Sequence, residues 1–158
     1  MELQDIKKAY GPLSKKYKLP SWKALDDEFE LLAMRDLAEV TYVLRFIRRR
    51  INDKLAYYTG ILENLLQPNP GSLISLHETK FFTEDEFKVA IRLLWEMMYY
   101  DRYSLLLDTK STEKEDAVFI AESFQQWMKL KDDLTKITKS LKDGWKKEMK
   151  GDTFQYIG

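Results

Sequence analysis

Residues 32–67, LAMRDLAEVTYVLRFIRRRINDKLAYYTGILENLLQ, decide the fold. Leu37, Val40, Leu44, Ile47, Ile51, Leu55, Tyr58, Leu62 and Leu65 recur at steps of three and four, the spacing that gathers apolar side chains along one side of an α-helix. Only Gly60 interrupts the pattern, at a cost of about 1 kcal/mol relative to Ala. A helix from about Leu32 to Gln67 would span roughly 50 Å at ~1.5 Å per residue.

Turn signals bound this segment on both sides. Upstream, Gly11-Pro12 and Leu19-Pro20-Ser21 punctuate an apolar series of Leu3, Ile6, Tyr10, Leu13 and Tyr17. Gly11-Pro12 is expected to split it into two short helices, with Pro12 in the first turn of the second. Ser21 reads as the N-cap of another short helix carrying Trp22, Leu25 and Phe29. Downstream, Pro68-Asn69-Pro70-Gly71 leads into a connector, Ser72 to Phe82, and Thr83-Glu84-Asp85-Glu86 opens a helix as a capping box. That helix is apolar almost all round, from Phe87 to Leu105, which predicts an internal, central element. Thr112 and Glu115 repeat the capping-box spacing before a last helix lined by Ile120, Phe124, Trp127, Leu130, Leu134, Ile137, Leu141 and Trp145, with Gly144 as a kink or stop. The expected fold is all-α, an antiparallel helical bundle of three long helices plus one or two short N-terminal helices. Residues 1–150 are expected to form a single domain, and 151–158, with Phe154, Tyr156 and Ile157, a C-terminal tail.

Composition narrows the function. The 158 residues carry 26 Lys+Arg against 26 Asp+Glu, one His and no Cys. Absent cysteine removes disulfides and thiolate metal sites and points to a reducing, cytoplasmic setting. Neither a signal-peptide pattern nor an apolar run of the ~20 residues that a membrane span needs is expected in this chain. His77 stands in the connector without a partner at metal-ligand spacing. The Asp26, Asp27, Glu28 and Glu30 cluster falls just after a cap, where carboxylates offset the helix dipole. Neither a phosphate-binding glycine loop nor a nucleophile elbow is present. The expectation is therefore a non-enzymatic protein with no catalytic residues, cofactor or metal.

Two positive features remain. Projecting the long helix puts Leu44, Ile51, Leu55 and Leu62 toward the core and Tyr42, Phe46, Arg49, Arg50, Asp53 and Tyr57 on the other side. Aromatic rings interleaved with guanidinium groups suit partner recognition, so Tyr42, Phe46, Arg49, Arg50 and Tyr57 form the expected partner-binding surface, for another protein or for self-association. The competing expectation is internal: the first thirty residues cover these rings, and the arginines pair with the Asp26–Glu30 cluster. The second feature is the run Lys136, Lys139, Lys142, Lys146, Lys147 and Lys150, which faces only Asp143 and Glu148. With Arg45, Arg48, Arg49, Arg50 and Lys54 it defines an alternative function, nucleic-acid binding, although a zero net charge is unlike a dedicated nucleic-acid module.

From Arg45 to Leu94, an arginine-rich helix, a loop and a Thr-Glu-Asp-Glu-Phe helix start are similar to the helical core of GINS replication-complex subunits. The long final helix departs from that pattern and leaves no room for the small β-domain of that family, so the chain is assigned to no family. The expected function is a helical scaffold or adaptor acting by protein–protein contact.

Overall fold

Side-chain caps start four of the helices. Ser21 Oγ accepts from the Ala24 N–H at 3.1 Å and Ser72 Oγ from the Ser75 N–H at 3.2 Å. Two capping boxes close reciprocally: the Thr83 N–H donates to Glu86 Oε2 at 2.7 Å while the Glu86 N–H donates to Thr83 Oγ1, and Thr112 and Glu115 repeat the exchange. Each box satisfies amide groups that a helix start otherwise leaves unpaired. The computed structural model describes residues 3–31 and 41–151. The elements are α1 (Leu3–Tyr17), α2 (Trp22–Phe29), α3 (Val43–Leu66), α4 (Leu73–Glu78) with a 3₁₀ turn at Thr79–Phe81, α5 (Glu84–Thr109) and α6 (Glu113–Lys150). The described residues form no strand, and the fold is all-α. The expected helix start at Leu32, with Leu37 and Val40, and the tail residues Phe154, Tyr156 and Ile157 lie outside the described residues.

The chain gathers into two compact units. Unit 1 comprises Met1–Tyr58 and Met97–Lys129. Its core holds Ile6, Tyr10, Leu25 and Phe29 from α1 and α2, Leu44, Ile47, Ile51 and Leu55 from α3, and Met97, Phe119, Ile120 and Trp127 from α5 and α6. Arg48 of α3 meets Ser104 and Asp108 of α5 while Asn52 meets Asp101, so α3 and α5 run antiparallel. Unit 2 comprises Thr59–Glu96 and Leu130–Gly158, with Leu62, Leu65, Ala90, Leu93, Leu134 and Ile137 buried. There Arg92 meets Asp133 and Glu86 meets Ser140, the antiparallel register of α5 against α6.

Four expectations need correction. The Gly11-Pro12 pair does not split the first segment. Pro12 lies inside α1, where it cannot donate to the Lys8 carbonyl. Anchors on both sides hold the helix across it: buried Ile6 and Tyr10 before, and Tyr17, whose hydroxyl donates to Glu113 Oε1 at 2.8 Å, after. The connector after Gly71 is itself helical, capped by Ser72. The third correction is that α5 is not internal all round. Ala90, Leu93, Met97, Ser104 and Leu107 make one buried stripe at steps of three, four and seven, whereas Trp95 is 72% exposed and Tyr99, Leu105 and Leu106 are also exposed. Apolar composition alone therefore overstated its burial. Finally, Gly144 neither kinks nor stops α6, which runs on to Lys150.

What Gly144 does is admit a ring. A Cβ at this position would sit 2.3 Å from the Phe81 ring, which packs edge-on against Trp145 at 5.4 Å. At Gly60 on α3 nothing lies within 4 Å. The two glycines are thus expected to respond oppositely to alanine. Gly60→Ala should stabilise by about 1 kcal/mol through helix propensity. Gly144→Ala should destabilise by about 1–3 kcal/mol despite the same propensity gain, because the ring must move. Urea denaturation of both variants checks the pair; stabilisation by both would show that the Phe81 contact is dispensable.

Candidate functional site

The basic run on α3 separates into different roles once its side chains are placed. Arg48 follows Leu44 by four and precedes Ile51 by three, so helical geometry turns it into the core of unit 1, where its exposure is 0%. Its Nε donates to Asp116 Oδ1 at 2.7 Å, Nη2 to Asp108 Oδ1 at 2.6 Å, and Nη1 to both the Ser104 carbonyl and hydroxyl at 2.8 and 2.6 Å. Asp116 is buried too and also accepts from the Ser111 hydroxyl at 3.3 Å. Burial opposes ionisation of Asp108, but hydrogen bonds and charge from Arg48, and then Arg49, outweigh it and hold the carboxyl below the usual aspartate range.

Arg50 and Lys54 turn toward α2. Glu30 ends that helix at φ 50°, a left-handed cap, and its carbonyl receives Arg50 Nη2 at 3.5 Å; Lys54 reaches the Glu28 carbonyl. Cations at this end complement the helix dipole. Where pairing with the Asp26–Glu30 carboxylates was expected, Arg50 and Lys54 thus meet backbone carbonyls. The acids have other partners: Glu28 Oε2 accepts the Trp127 indole N–H at 2.7 Å and Asp27 pairs with Lys23. His77 packs on Trp145 with ring centroids 6.0 Å apart and lies 4.0 Å from Glu148.

Four of the five residues expected at a partner surface line one open groove of about 550 Å³ in unit 1: Tyr42, Phe46, Arg49 and Arg50. Tyr42 is 62% exposed with the Arg45 guanidinium 4.8 Å from its ring centroid, and Phe46 is half-buried. Arg49 is exposed and donates from Nε to Asp108 at 3.2 Å. Tyr57, 67% exposed and edge-on to Tyr58, belongs instead to a hollow of about 310 Å³ that shares Arg50 and Asp53 with the groove. Residues 3–31 leave the Tyr42 and Tyr57 rings open. Sequence reasoning missed the far wall, Ser104 and Asp108 of α5, together with Asn52 on α3. It also missed the exposed face of α5. Only tertiary placement brings α5 to this wall.

Comparison of the chain with protein-family models, with curated proteins and with solved structures finds no match. No described helix is long and apolar enough to cross a membrane.

Two measurements check this electrostatic arrangement. Arg48→Met leaves Asp116 buried beside an uncharged side chain and is expected to cost about 3–5 kcal/mol. Arg49→Met, at the surface, should change stability by no more than about 0.5 kcal/mol. Equal losses in urea midpoint would contradict the division of roles. The second measurement is acid dependence. Asp108, Glu86, Glu115 and Asp133 all have lowered carboxyl pKa values. For such groups the unfolded chain binds protons first, so their contribution is present above the unfolded pKa of about 4 and is lost as pH falls through the folded value. Unfolding free energy should thus decline below about pH 4, and less steeply in Asp108→Asn. A rise in stability on acidification would have the wrong sign.

Proposed function

We propose that this chain is a non-enzymatic cytoplasmic scaffold or adaptor that acts by protein–protein contact through the α3 flank bearing Tyr42, Phe46, Arg49, Arg50 and Tyr57. The observation that carries this reading is the exposure of Tyr42 and Tyr57 beside an arginine-lined concavity. An ordinary solvated helix face presents Lys, Glu and Gln; rings and guanidinium groups are the residues enriched where proteins bind each other. Exposed Tyr99, Leu105 and Leu106 on α5 add apolar surface within the same unit, and such surface on a water-soluble body commonly marks an interaction site. The nucleic-acid alternative loses Arg48, which is enclosed and holds four short hydrogen bonds. Lys136, Lys139 and Lys142 of its second cluster are already paired with Asp133 or Asp143.

A photo-crosslinking amino acid placed at Tyr42 or Tyr57 in the cell that makes the protein should give discrete adducts that a protease removes and a nuclease does not. The same group at exposed Gln125 on α6 serves as control and should give none. Adducts of equal yield at all three positions, or nuclease-sensitive ones, would argue against the reading.

A further inference from the structure

The α3 groove contains an unusual shortage of partners. Arg45 Nε, Arg50 Nε and Asn52 Oδ1 are buried side-chain atoms without a hydrogen bond, and all three residues line this one groove. A buried polar atom left unpaired costs about 1–3 kcal/mol, and native proteins leave few of them. The remaining donors of the same arginines are poorly engaged: Arg45 Nη2 reaches Ser111 Oγ at 3.4 Å, Arg50 Nη1 reaches Asp53 at 3.4 Å, and Arg50 Nη2 reaches a carbonyl at 3.5 Å. Arg48, one turn away on the same helix, makes four bonds of 2.6–2.8 Å. The contrast is between an arginine built to hold the fold and two whose hydrogen-bonding capacity is unspent.

Charge and polarity define what would fill that capacity. Three guanidinium groups line the groove against the carboxylates of Asp53 and Asp108, and Asp108 is already held by Arg48. An incoming group must therefore bring oxyanions for the arginines. Asn52 donates its Nδ2 to Asp101 at 3.3 Å, which fixes the amide orientation and leaves Oδ1 as an acceptor in need of an N–H. A phosphodiester backbone has no N–H to give to Asn52, whereas a peptide offers carboxylates and amide N–H groups together. Tyr42 and Phe46 supply the apolar contact that a peptide also needs.

From this we infer that the groove receives an acidic peptide segment of the partner protein, its Asp or Glu side chains engaging Arg45 and Arg50 and a backbone N–H meeting Asn52 Oδ1. The inference rests on the protein-contact reading above and specifies the chemistry of the partner. Both Nε atoms are covered in the free protein, so engaging them requires rotation about the last side-chain torsions, which turns the N–H groups into the groove.

Phage-displayed random peptides, panned against the full chain, test it. Selected peptides should be enriched in Asp and Glu. Their affinity, measured by fluorescence polarisation, should fall about tenfold or more in Arg45→Gln/Arg50→Gln, the loss expected for charge-assisted hydrogen bonds. Unchanged thermal unfolding of that variant, with Arg48 left in place, confirms that the loss is local. Enrichment of peptides without acidic residues would overturn the inference and leave the protein-contact reading standing. Tighter binding of a single-stranded oligonucleotide through the same two arginines would overturn both. Absence of any selected peptide, joined to discrete protein adducts from Tyr42 and Tyr57, would overturn the inference alone.

Discussion

A guanidinium group removed from water sets the register of unit 1. Arg48 has no solvent to return to, so it depends on the protein for hydrogen bonds, and four are supplied, by α5 through Ser104 and Asp108 and by α6 through Asp116. An apolar side chain at position 48 could pack against several levels of the neighbouring helices. A planar fork with donors at fixed angles fits one. Breaking it strands a buried carboxylate, whereas replacing all its members with apolar residues would remove the penalty and the directional constraint together. The network thus ties three helices together through bonds of fixed direction. It does so at the point where α5 ends and α6 begins, between Asp108 and Asp116.

That alignment creates the groove. Its floor is the α3 flank and its far wall is the same α5 turn that holds Arg48, because Ser104 and Asp108 serve both. Asp108 is the hinge of the arrangement: one oxygen receives the buried Arg48 and the exposed Arg49. Arg49, exposed, thus shares its carboxylate partner with the buried Arg48. At the groove three guanidinium groups from the basic run of α3 face two carboxylates, one of them shared with Arg48, so the surface there is locally positive although the chain's net charge is zero.

Local signals were legible in the sequence wherever neighbouring residues decide the outcome. Ser21, Thr83-Glu86 and Thr112-Glu115 cap helices through bonds across three residues, and the steps of three and four from Leu44 to Leu65 give the buried edge of α3. Failures came where distant residues decide. Pro12 remains helical because Tyr10 and Tyr17 are held by other segments. Trp95 is exposed because only one side of α5 has a neighbour, a fact its uniformly apolar composition conceals. Half of the candidate site was legible too, since a helical projection places Tyr42, Phe46, Arg49 and Arg50 together. The other half was not, because Asn52 looks like ordinary helix surface and Ser104 and Asp108 approach it only through the bundle. Arg48 is the instructive case: its steps from Leu44 and Ile51 mark a core position, but a charge there is credible only once Asp116 and Asp108 are known to meet it.

Three of the four arginines between positions 45 and 50 have therefore come to different ends by geometry alone. At position 48 the side chain points at carboxylates and makes four short hydrogen bonds. At position 50 it reaches toward the carbonyl end of α2, and at position 45 it lies over Tyr42, each with long, sparse contacts and an Nε that meets nothing. The capping boxes, the indole bonds of Trp127 and Trp145 and the Arg48 cluster show that this protein pairs its polar groups closely elsewhere. Among the described residues the buried side-chain atoms without a partner all fall on this one concave surface, which is the property that the proposed binding role asks of it. Desolvation has already been suffered in the free state, so a partner that supplies the missing acceptors and donor gains their hydrogen bonds without that cost being incurred again.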